Sequence, residues 1–322
     1  MNISVIVPVR NEEKSMAILL DALLSQTLSP AEIAITDGGS TDNTTAIIQT
    51  YIDKGAPIRL IRTTKALPGR GRNLAVEHST SEWLAFTDAG IEPNQDWLAS
   101  LSEKASNGEV DVVYGSYEPK TDTFFSECAA IAYITPPVEI DGVLMRHRSI
   151  ASTLMRRSVW ETVGGFPEHL RSAEDLVFMN GIEAAKFRVA YAPRAVVRWE
   201  LQPNLGGTLR RFTIYSRNNI RAGLWKDWQA SVFKRYLFLL LLMPLAFIIG
   251  RWWLLVPLGM WLFFLAARAG VSLYRNRRRY PGSAGRNIRR FVLLLPLIAV
   301  IDLGAILGTI QWIISDKLMR RS

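Results

Sequence analysis

The sequence predicts a mainly parallel α/β domain followed by helices that span a membrane. In the first hundred residues, short apolar runs typical of buried strands alternate with segments that have helical apolar spacing. From about residue 235 to residue 315, Leu, Ile, Phe, Trp and Val dominate. These observations divide the chain into an N-terminal domain, residues 1–230, and a transmembrane region, residues 234–316.

Four short apolar runs mark the first predicted strands: Ile3–Val7, Glu32–Thr36, Ile58–Arg62 and Trp83–Thr87. Between them, helices are predicted over residues 13–26, from Asp42 onward and over residues 70–79. Ligands of such sheets bind at the carboxyl ends of the strands. Because Asp37 and Asp88 each follow a strand, we expect both at that edge.

The second half of the N-terminal domain has weaker signals. In order, the predicted elements are a partly helical insertion over the site at 118–150, a strand at Ala151–Met155, a turn at Gly164–Pro167, a helix from about Ala173 and a strand at Arg188–Ala192. Residues 206–222 mix apolar and arginine side chains. This pattern predicts an amphipathic helix, and we assign residues 206–230 to the membrane surface.

The charge distribution and the numbers of cysteines and histidines exclude several classes of protein. The net charge is +9, but many arginines flank the apolar segments, as in the stretch from Arg275 to Arg290. That position is typical of cytoplasmic membrane flanks, so we expect no nucleic-acid partner. A single cysteine, Cys128, excludes an intramolecular disulfide, and three histidines without metal-ligand spacing argue against a zinc site.

Two or three membrane helices are predicted, at about 235–250, 252–274 and 291–314. The first apolar run, Tyr236–Gly250, is shorter than the roughly 20 residues that span hydrocarbon. Core helices of a soluble protein are the alternative. Since Ile3–Val9 is strand-like and follows no basic region, we expect no signal peptide. The prediction is a multi-pass protein of the inner (plasma) membrane with its N-terminal domain in the cytoplasm.

Asp302 lies inside the last apolar segment, where a carboxylate is costly. We expect it to face Arg251, another helix or a polar lipid headgroup. Gly304 and Gly308 are spaced for close helix packing.

Two N-terminal segments carry a family resemblance: Val7-Pro8-Val9-Arg10-Asn11-Glu12-Glu13 and Asp37-Gly38-Gly39-Ser40-Thr41-Asp42. In this order and spacing they resemble the opening of family 2 glycosyltransferases, which have the GT-A fold and transfer sugars with inversion. The resemblance covers about residues 1–225. It implies that the nucleotide sugar is bound by Pro8, Arg10, Glu12, Asp37, Gly39, Arg70, Arg72, Asn73, Asp88 and Ala89.

Simple chemistry supports part of this assignment. A nucleobase ring N–H needs an acceptor, which Asp37 can supply, and Glu12 can bind the base or the ribose. The structural alternatives are that Asp37 forms a turn and that Asp42 caps a helix. Arg70 and Arg72, in a segment similar to the family's Gly-Lys-Gly-x-x-x-Asn, can meet phosphate oxygens or stay solvated.

Metal dependence is in doubt from the sequence. Asp88-Ala89-Gly90 stands where the family has Asp-x-Asp, whose carboxylates bind Mg²⁺ or Mn²⁺ on the diphosphate. Gly90 replaces the second Asp, and Trp199 stands where the family often has a His ligand. Asp88 remains as the candidate metal ligand. The leaving diphosphate can instead be neutralised by arginines, for which we nominate Arg198, Arg210 and Arg211.

Glu174-Asp175 matches the family's Glu-Asp-x-x-Leu segment. The resemblance implies that Asp175 is the general base that deprotonates the acceptor hydroxyl, with Glu174 positioning the acceptor. An acidic pair that favours a helix N-terminus is the alternative.

The predicted function is transfer of a sugar from a nucleotide sugar to a membrane-proximal acceptor, such as a membrane lipid or a lipid-linked glycan of the cell envelope. Two alternatives stay open: a nucleotidyltransferase of the same fold, and a non-catalytic membrane scaffold.

Overall fold

The computed structural model describes residues 1–106, 108–140, 142–146 and 148–318, which form two compact units. The first unit comprises Met1–Lys120 and Pro137–Glu200. The second comprises Thr121–Pro136 and the described chain from Leu201 onward. The predicted domain ranges, 1–230 and 234–316, stay predictions, because compactness alone does not define a functional domain.

The strands, in chain order, are β1 Ile3–Val9, β2 Glu32–Asp37, β3 Ile58–Arg62, β4 Trp83–Phe86, β5 Ile91–Pro93, β6 Val112–Lys120, β7 Val138–Ile140, β8 Val143–Met145, β9 Thr153–Arg156 and β10 Val189–Glu200. The α-helices are α1 Met16–Leu24, α2 Thr44–Asp53, α3 Pro68–His78, α4 Trp97–Ala105, α5 Phe124–Tyr133, α6 Arg157–Val163, α7 Glu174–Ala184, α8 Leu205–Arg221, α9 Gln229–Leu242, α10 Ala246–Ile249, α11 Leu255–Asn276 and α12 Ala284–Trp312.

Eight strands form one sheet in the order β3-β2-β1-β4-β9-β6-β10-β5. The pairs β1–β2, β1–β4, β2–β3 and β6–β10 are parallel, and the other three pairs, which involve β9 or β5, are antiparallel. The predicted α/β fold is therefore confirmed, with a sheet more mixed than the first hundred residues indicated. Those residues form the parallel strands β3-β2-β1-β4 and the edge strand β5, whose antiparallel partner β10 comes later in the chain.

Side chains of β1 alternate between two hydrophobic cores, as expected for a strand covered on both faces. Val5 and Val7 join the core that contains Leu20 from α1 and Leu98 from α4. Ile6 points into the other core, with residues of α3 and α7. Helices therefore cover both faces of the sheet.

The second unit contains three helical segments long and apolar enough to cross a membrane: Gln229–Ile249, Arg251–Asn276 and Ala284–Leu318. The first is 21 residues long because its helix begins before the apolar run. A Cβ on Gly304 would lie 2.7 Å from Cβ of Phe212, so α12 packs closely on α8 as its small residues predict. The helix predicted at 206–222 is confirmed as α8, and its place at the membrane surface stays a prediction.

Candidate active site

The loops after β1 and β2 are joined at the carboxyl edge of the sheet. The Asn11 amide donates to Oγ of Ser40 (2.9 Å), and the Thr41 amide donates to Oδ1 of Asn11 (2.8 Å). Asn11 has a left-handed φ of 56°, which the exchange of hydrogen bonds holds in place. The exchange brings the Arg10–Glu12 stretch next to Gly39, as the nucleotide-site prediction requires. Arg10 itself is exposed.

Asp37 is buried at the end of β2, and its carboxylate accepts the Ser40 amide at 3.1 Å. This bond forms a turn, so the structure gives Asp37 the local role that was its alternative. Gly39 follows with a φ of +87°, where a side chain would be strained. The N-cap of α2 is Asn43, so the alternative of Asp42 as the cap is wrong by one residue. The Asp42 carboxylate instead accepts the Thr44 amide at 3.1 Å.

The N-terminus of α3 lies against the same edge, where its glycines let the backbone come close. A Cβ on Gly71 would lie 2.9 Å from Cβ of Pro8, and one on Gly69 would lie 2.3 Å from the Pro167 carbonyl oxygen. Arg70 forms a half-exposed ion pair with Glu168 at 2.9 Å.

Asn73 joins α3 to the turn that the sequence places at Gly164–Pro167. Its Nδ2 donates to the Phe166 carbonyl (2.9 Å) and to Glu168 (3.1 Å), while its Oδ1 accepts from the Phe166 amide and from Trp160 Nε1. Every polar atom of the side chain has a protein partner. This network explains Asn73 structurally, and its role toward a nucleotide stays a prediction.

Arg72 connects two acidic residues of the predicted site. Its Nη2 donates to Oδ1 of Asp88 at 2.6 Å and its Nη1 donates to Oε1 of Glu174 at 2.8 Å. Burial alone lowers the pKa of the guanidinium, but the carboxylates of Asp88 and Glu174 raise it above its ordinary value. Arg72 is therefore a permanent buried cation. It holds together the carboxylates that the sequence assigned to the donor and to the acceptor.

The turn Asp88-Ala89-Gly90 follows β4, with Ala89 half-buried against the first core. Gly90 has a φ of +79°, and a Cβ there would lie 3.6 Å from Oε2 of Glu12. That oxygen accepts the Ser15 hydroxyl at 2.6 Å. Within the part of the chain that the structure describes, no group of three or more His, Cys, Asp or Glu side chains could hold a metal ion. The role of Asp88 as a metal ligand stays a prediction.

The predicted base lies at the N-terminus of α7. Burial and the adjacent Glu174 carboxylate raise the pKa of Asp175 to about 6, while Arg72 lowers it. A carboxyl with this pKa is mostly ionised at neutral pH and is a stronger base than an ordinary Asp. Before the pair, Ala173 has a left-handed φ of 70°, a strained conformation for a residue with a Cβ.

Several buried polar atoms around these residues have no hydrogen-bond partner: Oε2 of Glu174, Oγ1 of Thr36, Oγ1 of Thr87 and Oγ of Ser172. Buried polar groups are normally paired.

Trp199, at the predicted place of a His metal ligand, stacks on Tyr117 with 4.8 Å between ring centroids. Since an indole has no lone pair for a metal, the structure gives this position a packing role. Arg198 is exposed on β10, opposite Glu92 of β5. Arg210 and Arg211 lie on α8 of the second unit.

The sequence patterns predicted neither the contacts of Glu168 with Arg70 and Asn73 nor the strained backbone at Ala173. Glu168 directly follows the Gly-Gly-Phe-Pro turn, which was the available signal. The left-handed conformation of Ala173 has no corresponding signal in the sequence.

The N-terminal half of the chain matches the model of a known protein family. Residues 4–161 match the model described as glycosyl transferase family 2. Over this part of its length the chain is similar to that family. The matched residues include the two joined loops, the start of α3 and the Asp88 turn.

Proteins similar to this chain occur in archaea and bacteria. Glycosyltransferase AglE of Haloferax volcanii is 30% identical over 199 residues, covering 59% of this chain and 64% of the relative. The O-antigen chain rhamnosyltransferase RfbN of Salmonella typhimurium is 29% identical over 209 residues, or 62% of this chain and 66% of the relative. The chain therefore spans just under two thirds of the length of these curated relatives.

Solved structures support the predicted GT-A fold. The mannosyltransferase PcManGT from Pyrobaculum calidifontis, in complex with GDP-Man and Mn²⁺, matches 96% of this chain and 87% of its own, with a TM-score of 0.57 and 19% identity. Staphylococcus aureus TarS 1-349, in complex with UDP-GlcNAc, matches 90% of this chain and 89% of its own, with a TM-score of 0.52 and 17% identity.

Proposed function

We propose that the chain is a membrane-associated, inverting glycosyltransferase that moves a sugar from a nucleotide-sugar donor to a membrane-proximal, lipid-linked acceptor. The observation that carries this proposal is the Asp175 carboxyl, with its pKa raised to about 6, beside the carboxylates that Arg72 connects. A base and a charged binding site thus stand together at the edge of the sheet. The cell-envelope glycans named for some relatives are consistent with a membrane-proximal acceptor.

In the proposed reaction, the acceptor hydroxyl attacks the anomeric carbon of the donor sugar while Asp175 takes the hydroxyl proton. The new glycosidic bond forms as the bond from the anomeric carbon to the diphosphate oxygen breaks, and the electron pair leaves with the nucleoside diphosphate. Attack opposite the leaving group inverts the anomeric centre. The unpaired Oε2 of Glu174 would accept a second acceptor hydroxyl and orient it.

The departing diphosphate needs positive charge. Asp88 would hold a divalent cation, Mg²⁺ or Mn²⁺, whose charge offsets that of the diphosphate. Since Arg72 occupies one oxygen of Asp88, we expect weak binding of such a cation. Arg198, Arg210 and Arg211 stay predictions for the same role.

We also propose that the three apolar helices anchor the chain in the inner (plasma) membrane, with the N-terminal domain in the cytoplasm. The arginines between the second and third helices support this orientation. A tethered domain meets a lipid-linked acceptor at a high effective concentration. The alternative of a nucleotidyltransferase has less support, because that reaction would use two metal ions and Gly90 removes a ligand.

A direct test is to titrate the purified chain with UDP-, GDP- and dTDP-sugars by calorimetry. We expect saturable binding of one nucleotide class, weakened about tenfold by Asp37→Asn, because the neutral amide oxygen is a weaker acceptor for the base N–H than the carboxylate. Asp53→Asn is the matched control, since Asp53 is exposed at the end of α2. Failure of every nucleotide sugar to bind would contradict the proposal.

A further inference from the structure

The second unit holds an ion cluster that the proposed transfer chemistry does not use. Asp302 of α12 accepts from Arg268 of α11 at 2.6 Å and from Arg235 of α9 at 3.3 Å. The Tyr236 hydroxyl lies 3.4 Å from the same carboxylate and accepts from Trp261 Nε1 at 3.1 Å. Three apolar helices therefore meet at one carboxylate. The prediction that Asp302 faces another helix is confirmed, whereas Arg251 lies over the ring of Trp252.

The cluster carries more positive than negative charge. Guanidinium groups stay protonated, so Arg235 and Arg268 contribute two positive charges. Asp302 contributes one negative charge, and Tyr236 is neutral at physiological pH. One positive charge is left over between helices that are apolar enough to cross a membrane. Uncompensated charge is costly there and calls for an anionic partner.

Exposure within the cluster is uneven. The Asp302 side chain is 2% exposed, whereas those of Arg235 and Arg268 are 27% and 33% exposed. A ligand that approaches from outside thus meets the two cations and not the carboxylate. Each arginine uses one terminal nitrogen for Asp302, which leaves donors of a planar fork that suits phosphate oxygens.

Exposed apolar side chains lie on the same two helices as the arginines. Leu237 and Phe238 of α9, next to Arg235, are 57% and 46% exposed, and Leu262 and Phe263 of α11 are 51% and 68% exposed. Such side chains suit the hydrocarbon chain of a lipid and not a water-soluble anion. The combination of a surplus cation and an apolar surround therefore favours a lipid that ends in a phosphate.

We propose that Arg235 and Arg268 bind the phosphate of a phosphate-bearing lipid, while Asp302, which pairs with both guanidinium groups, limits how strongly the phosphate is held. That this lipid is the sugar acceptor rests on the proposed function, whereas its binding rests on the cluster alone. The negative charge of Asp302 offsets part of the positive charge that attracts the phosphate. Removing an arginine and removing the carboxylate should therefore change lipid affinity in opposite directions.

The test measures binding of a long-chain polyisoprenyl phosphate to the full chain in phosphatidylcholine nanodiscs, without nucleotide. We expect Arg268→Gln to weaken binding about tenfold, which corresponds to about 1.4 kcal/mol, and Asp302→Asn to strengthen it. Arg251→Gln is the matched control, because it removes the same charge from the same unit outside the cluster. Inorganic phosphate is the competitor that separates a lipid site from a site for free phosphate.

Equal affinity of Arg268→Gln and wild type would overturn the proposal, and so would displacement of the lipid by inorganic phosphate at equal concentration. If Asp302→Asn does not fold, Arg268→Gln decides alone, since Arg235 still pairs with Asp302 in that variant. Because no nucleotide is present, a failure here leaves donor binding untested. Conversely, if the chain binds the lipid but binds no nucleotide sugar, only the proposed function is contradicted.

Discussion

Replacing Arg72 with Gln removes the buried cation that Asp88 and Glu174 share. The Arg72 side chain is 4% exposed and that of Glu174 is 5% exposed, whereas Asp88 is 29% exposed. Removing one partner of a buried ion pair costs about 3–5 kcal/mol, because the remaining charge is left uncompensated. Since water partly solvates Asp88, we expect a loss near the lower end, about 3 kcal/mol in the free energy of unfolding.

The same substitution should shift the pH dependence of transfer. Burial and Glu174 raise the pKa of Asp175 to about 6, and Arg72 opposes this rise. Without Arg72, the pKa of Asp175 rises further. A general base works only when it is deprotonated, so wild-type kcat/KM should fall below about pH 6. In Arg72→Gln this fall should begin at a higher pH.

Two measurements test the prediction: kcat/KM as a function of pH, and unfolding in denaturant. Arg194→Gln is the control, because the pair between Arg194 and Glu103 is 71% and 63% exposed. We expect the control to lose less than about 1 kcal/mol and to keep the wild-type pH profile. An Arg72→Gln variant that is destabilised but keeps the wild-type pH profile would refute the electrostatic argument and leave Arg72 a purely structural role.

Three further predictions concern the metal, the strained alanine and the topology. Gly90→Asp adds a carboxylate where φ is +79°, so we expect about 1–2 kcal/mol less stability and stronger stimulation of donor turnover by Mg²⁺ or Mn²⁺. Full wild-type activity in excess chelator would contradict a role for metal. Ala173→Gly relieves a left-handed φ of 70° and should raise stability by up to about 1 kcal/mol in thermal unfolding, whereas an unchanged stability would argue against strain. A cysteine at exposed Lys104 should react with a membrane-impermeant maleimide only after permeabilisation, against a background of buried Cys128. Labelling in intact cells would place the domain outside.

The parallel half of the sheet could be predicted because its strands are short and mainly apolar, and each is followed by a polar turn. Ile58–Arg62 has the same limits in the sequence prediction and in the structure. The half of the sheet that contains antiparallel pairs was harder to predict. β10 extends to Glu200, past the predicted end at Ala192, because a register shift between Tyr191 and Val196 accommodates Pro193 in the strand.

The residues of the candidate site could be nominated from sequence motifs, but their partners could not. Arg72 donates to Glu174 across 102 positions of the chain, and Glu127 pairs with Arg286 across 159. Pairs at such separations depend on the packing of whole elements, which local spacing does not encode. For this reason the sequence suggested phosphate as the partner of Arg72, whereas the structure gives it two carboxylates.

The central claim is that Asp175 is the base of a nucleotide-sugar transfer, and Asp175→Asn tests it most directly. Since burial raises the pKa of Asp175 from 3.8 to about 6, its ionised form costs stability above that pH. The variant should therefore be more stable than wild type at neutral pH, by at most about 3 kcal/mol, so misfolding would not explain lost activity. The measurement is turnover of a bound nucleotide sugar beside its calorimetric Kd. We predict a fall in kcat of about 10²–10⁴-fold with an almost unchanged donor Kd. Near-normal turnover in Asp175→Asn would contradict the claim.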